Sequence, residues 1–120
     1  MNFYPDTFFP FYSRAFFEAV EGQPDYIVLG YLRALSFYWS HNHCQGLEND
    51  QEFLRRLCRI EKDKWSKSFD ILFGREEFFA LIDDRWHQQR MLEEWGKAVN
   101  RYKTAQLKTK AATAARWKKK

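Results

Sequence analysis

The sequence predicts a mostly α-helical single domain with one small β-hairpin and a basic C-terminal tail, over 120 residues. Three observations lead there. Apolar residues recur at helical spacing in several separate stretches. The short apolar run Phe78-Phe79-Ala80-Leu81-Ile82 meets Asp83-Asp84 and returns as Arg85-Trp86-His87, the pattern of a two-stranded hairpin. From Gly96 to Lys120 there are nine Lys or Arg residues and no acidic one.

Taken in order, residues 3–17 hold eight aromatic rings, and Pro5 and Pro10 keep a helix from running through the first half. An extended lead-in is expected, then a short helix from about Ser13 to Glu21, closed by Gly22. Pro24 and Asp25 open the next helix, about 24–40. Its two neighbouring stripes, Ile27, Tyr31, Ala34, Tyr38 and Val28, Leu32, Leu35, Trp39, place it at the centre of the fold. Residues 41–48, with Gly46, read as a loop. Asn49 or Asp50 then caps a helix over about 50–59, with Phe53, Leu54, Leu57 and Cys58 inward. The next helix, about 61–73, presents Trp65, Phe69, Leu72 and Phe73 on one face and stops at Gly74. After the hairpin, Met91 or Leu92, Trp95, Val99 and Tyr102 keep one apolar face to about 102. The domain is therefore expected over 1–102. Residues 103–120, rich in Lys, Ala and Thr, are expected to form a flexible tail that its alanines let turn helical on a partner.

Composition excludes several classes. No apolar run approaches the roughly 18 residues of a membrane span, and the N-terminus lacks the basic start of a signal peptide. Two cysteines are too few for a disulfide framework, so a reducing cytoplasm is the expected home. His41-Asn42-His43-Cys44 with Cys58 matches no common zinc spacing, so no metal is expected. The acidic pairs Glu76-Glu77, Asp83-Asp84 and Glu93-Glu94 are adjacent in sequence, so their side chains diverge. With no nucleophile signature and no Gly-rich phosphate loop, neither catalysis, a cofactor nor a small-molecule substrate is expected.

Charge points instead to a macromolecule. The basic end leaves eleven basic residues against all sixteen acidic ones in the first 95, a balance of −5. Within that acidic body, Arg55, Arg56, Arg59, Lys62, Lys64 and Lys67 face only Glu61 and Asp63 over residues 53–67. These six, with Arg85 and Arg90 near the hairpin, are the candidate DNA contacts of the body. The alternative is that they are the solvated faces of two amphipathic helices, alternating with Glu52, Glu61, Asp63 and Asp70. Lys108, Lys110, Arg116, Lys118, Lys119 and Lys120 are the candidate phosphate contacts of the tail. Phe8, Phe9, Phe16 and Phe17 are candidates for contact with another protein or a second copy, unless they cap the domain's own core.

Helix, helix, helix, hairpin is the order of a winged helix-turn-helix. The chain also resembles the family of unknown function at the N-termini of YdaU-like prophage proteins, often described as replication proteins. The resembling features are Tyr4-Pro5, Gly30-Tyr31-Leu32, Tyr38-Trp39, Leu54 to Leu57 followed by Trp65, and Asp83-Asp84-Arg85-Trp86-His87 leading into Met91-Leu92-Glu93-Glu94. The closing Ala114-Ala115-Arg116-Trp117 is similar to that family's basic linker, after which family members commonly continue. The resemblance implies a non-enzymatic, phage- or prophage-derived protein that binds double-stranded DNA in a bacterial cytoplasm, in a task like replication initiation. The competing expectation is a phage or mobile-element factor whose acidic, aromatic body binds and redirects or inhibits a host or phage protein.

Overall fold

The structure, a computed structural model, describes residues 11–118, with side chains through Arg116. Helix α1 (Ser13–Val20) ends at Gly22, whose φ of +82° makes the turn into Pro24. Pro24 stands just outside α2 (Asp25–Ser40), where its missing N–H costs no hydrogen bond. Ile27, Tyr31, Ala34, Leu35, Tyr38 and Trp39 of α2 are all buried. This helix is the axis of the core, as its double stripe predicts.

The expected loop after α2 contains a short strand, β1 (Leu47–Glu48). Asn42 prepares it: its side chain accepts from Gly46 N at 2.7 Å and donates to Gly46 O at 3.1 Å. Asp50 caps α3 (Gln51–Cys58) by accepting from Phe53 N at 3.0 Å. Arg59, at φ +56°, then turns the chain sharply through Ile60 into α4 (Lys62–Phe73). Gly30 of α2 lies under that corner. A Cβ there would stand 3.2 Å from Ile60 Cδ1 and 3.3 Å from Cys58 Cβ, so α2 and the α3–α4 turn approach as closely as a glycine allows.

Strands β2 (Ala80–Ile82) and β3 (Arg85–His87) form the predicted hairpin, with Phe78 and Phe79 placed before it and buried. Its two-residue turn has positive φ at both Asp83 and Asp84, the geometry that matches strand twist. β1 adds to the other edge of β3, giving an antiparallel sheet in the order β1-β3-β2 with Leu47 opposite Trp86. The core is built from rings. Phe79 packs on Tyr31, Tyr38 and Phe73 with centroids 5.2–6.0 Å apart, and Phe73 meets Trp86 at 5.2 Å. Such pairs add about 0.5–1.5 kcal/mol each beyond the area they bury.

The last element runs past the expected boundary at residue 102. Helix α5 runs unbroken from Gln89 to Lys118. Gln88 starts it, its side chain accepting from Met91 N at 2.7 Å. Met91, Trp95 and Ala98 pack inward, with Trp95 edge-on to Trp39 at 4.8 Å. Beyond Tyr102 the helix is exposed almost throughout, and the protein is 70 Å long but only 29 and 20 Å across. Among the described residues, no helix is long and apolar enough to cross a membrane.

Candidate nucleic-acid interface

The cations of residues 53–67 divide into two groups. Arg55 is held inside the fold. Its guanidinium donates to Glu52 at 2.5 and 3.2 Å and to the Ile60 carbonyl at 3.0 Å, so it ties the first turn of α3 to the corner beyond its end. Its side chain is 18% exposed. Arg56 also reaches Glu52, at 3.1 Å, but stays 75% exposed. The Glu52 carboxyl is pulled down to about 2, chiefly by its hydrogen bond with Arg55; desolvation, the next largest effect, opposes this, and the Arg55 charge and then Arg56 add to the lowering. Arg55 is therefore a fold-stabilising residue, with three of its five N–H donors committed inside the domain.

Arg59, Lys62, Lys64 and Lys67 are exposed. The left-handed corner pushes Arg59 outward just ahead of α4. Lys64 Nζ lies over the Tyr26 ring at 5.0 Å, while Arg59, Lys62 and Lys67 form no ion pair among the described residues. The same outward arc of α4 carries Asp63 and Asp70, so its excess of positive charge is small. The hairpin adds acid. Asp83 and Asp84 at its turn stand beside Glu48 and Asp50 around a shallow polar groove, and Arg85 is tied to Gly46 O at 3.0 Å. β1, which sequence reasoning missed, brings Glu48 to that end.

Helix α5 carries the strongest field. Lys97, Arg101, Lys103, Lys108, Lys110 and Arg116 project from one continuous rod without an acidic residue after Glu94. Arg90, Lys97, Arg101 and Lys108 are spaced by seven, four and seven residues, which places them on one face. Over 18 residues that stripe runs about 27 Å. Glu94 lies on the same flank and is paired with Lys97 at 3.6 Å. At its inner end the stripe meets α1: the Arg90 guanidinium covers the Tyr12 ring at 5.1 Å, and Glu94, accepting from the Tyr12 hydroxyl, pushes its pKa above the usual tyrosine value. The 7-4-7 spacing was readable in the sequence, but the Tyr12 contact required the fold.

The four candidate phenylalanines also separate. Phe16 turns inward and stacks on Tyr31, with centroids 5.7 Å apart and planes 2° apart. Phe17 is 65% exposed, and Phe11 and Tyr12 are exposed as well. Phe8, Phe9, Lys119 and Lys120 lie outside the described residues, as does the side chain of Lys118.

Other chemistry finds little support. Burial pushes the thiols of Cys44 and Cys58 up to about 12, leaving both as neutral core groups. Among the described residues no three His, Cys, Asp or Glu side chains gather as metal ligands. No family model, curated protein or solved structure matches the chain.

Proposed function

We propose that this chain is a winged-helix, non-enzymatic DNA-binding protein that holds duplex DNA through α4 and the basic helix α5. The observation that carries the reading is α5: six described cations beyond Glu94, on a helix continuous with the packed turns of the domain and opposed by no acid on the same stretch. A polyanion releases counterions wherever such a cation meets it, so affinity follows from charge even without base recognition. The element order supports the winged-helix part. Helix α2, strand β1, helices α3 and α4, then the β2–β3 hairpin in a sheet ordered β1-β3-β2 is the sequence of parts that fold uses. In it α4 is the helix offered to the major groove, with Lys62, Lys64 and Lys67 on its outer arc and Arg59 at its entry. The resemblance to prophage replication-type proteins favours a task at replication initiation.

The test is anisotropy of a labelled duplex over a salt series, comparing wild type with a Lys108→Gln, Lys110→Gln, Arg116→Gln triple variant. The triple variant is expected to weaken binding and to flatten the salt slope by roughly 3 logarithmic units, near 0.9 for each phosphate that is no longer neutralised. Equal binding and equal slopes would remove the reading.

A second reading, a factor that binds another protein, is favoured by the acidic end of the hairpin. Glu48, Asp50, Asp83 and Asp84 repel phosphate and suit a basic partner. Under it, the wild-type chain shows no duplex affinity in physiological salt.

A further inference from the structure

We infer that the α1–α5 side takes an unpaired nucleic-acid strand, its bases stacking on Tyr12 and Phe11 and its phosphates following the Arg90–Lys97–Arg101–Lys108 stripe. This rests on the nucleic-acid reading above and assigns a second surface to it, apart from α4.

Three features meet here. The first is a groove of about 460 Å³ between α1 and the start of α5, floored by Phe16, Tyr31, Leu35 and Met91. The second is a pair of rings at its mouth, Phe11 at 49% and Tyr12 at 42% exposure. Phe11 is braced edge-on against Phe16 at 5.0 Å, and Tyr12 is backed by the Arg90 guanidinium. Rings held this way present a stacking surface at small entropic cost. The third is the cationic stripe that leads away from the groove along α5.

A duplex keeps its base faces stacked, so a ring reaches them only by unstacking a base step, at a cost of roughly a few kcal/mol. An unpaired strand offers both a face for each ring and a phosphate for each cation, the combination on which single-strand binding generally depends. The groove's own charges sharpen the assignment. Glu77 and Glu93 line it, together with Gln88 and Gln89. Carboxylates there repel phosphate but accept hydrogen bonds from exocyclic base amines, as on cytosine. Bases therefore enter the groove while phosphates stay outside on α5.

The experiment compares labelled oligo(dC) of about 16 nucleotides, within the usual site size, with a duplex of equal length. Wild type, Tyr12→Phe and the Phe11→Ala, Tyr12→Ala double variant are measured as full chains. Both rings precede α1 and are exposed, and circular dichroism checks that the helices persist. The double variant is expected to lose roughly 10-fold or more in oligo(dC) affinity, Tyr12→Phe to keep it, and duplex affinity to stay within about twofold. Unchanged oligo(dC) binding in the double variant, or equal loss on both ligands, overturns the inference; the duplex signal that remains then keeps the broader reading standing. Absence of binding to either ligand by wild type removes both.

Discussion

The Tyr38 hydroxyl of α2 lies 2.7 Å from His87 Nδ1 on β3, joining the central helix to the middle strand of the sheet. The two groups share one hydrogen bond, and the tautomer of the neutral imidazole decides which of them donates. Burial, and then the Arg85 charge, hold the His87 pKa below its usual value of about 6.5, with Asp83 acting weakly the other way. The unfolded chain therefore takes up this proton first as pH falls. The stabilisation is complete above about pH 6.5 and is lost as pH falls through the lower, folded value. Thermal unfolding between pH 8 and pH 5 should show a flat upper region and a decline below 6.5, and His87→Gln should remove that decline. Tyr38→Phe should cost about 1–2 kcal/mol at pH 7, because Nδ1 loses its hydrogen-bond partner.

The Glu52 carboxyl titrates in a separate window. Its folded pKa near 2 lies below the usual carboxylate range, so its contribution is present above about pH 4.5 and disappears as pH falls toward 2. Arg55→Ala breaks this pair and the link to Ile60. Its expected signature is a lower melting temperature with duplex affinity within about twofold of wild type. Lys62→Glu with Lys67→Glu should do the reverse, keeping the melting temperature and weakening duplex binding several-fold.

Two glycines should answer to alanine with opposite signs. At Gly46, φ is +106° and a Cβ would stand 2.6 Å from Arg85 Cβ and 2.7 Å from His87 Nε2. Strain and overlap together should destabilise Gly46→Ala by about 3 kcal/mol. Gly96 lies within α5, where a Cβ meets nothing within 4 Å. Gly96→Ala should stabilise the protein by about 0.5–1 kcal/mol through helix propensity alone. Urea unfolding of the two variants measures both.

Removing the α3 cap with Asp50→Ala should cost about 1 kcal/mol, or roughly 4 °C in melting temperature. Asp50→Asn should recover most of it, since an amide oxygen still accepts from Phe53 N.

Much of the helical frame was legible because its signals are local. The Asp50 cap, the stop at Gly22 and the ring face of α4 each lie within a few residues of what they control. Strand β1 was not legible. It is two residues long and exists because Trp86, 39 positions after Leu47, supplies its partner. The course of α5 past residue 102 has a different origin. Residues after Tyr102 have no apolar face, but they extend a helix already nucleated by the packing of Met91, Trp95 and Ala98, so their Ala, Lys and Gln need only propagate it. At the candidate interface, positions of charge were readable and their availability was not. Nothing near Arg55 in sequence announces that the carbonyl of Ile60 will turn back to meet it.

Because α5 is one uninterrupted helix from Gln89 to Lys118, Lys108 and Arg116 stand on the same helical repeat as the residues packed on the domain. Their spacing and angular phase along that helix follow from its repeat, as marks do on a ruler. Under the proposed function those outer marks would set the heading and spacing of the rest of the protein on its partner, and shifting them by two inserted residues would rotate them by about 200° with no change in total charge.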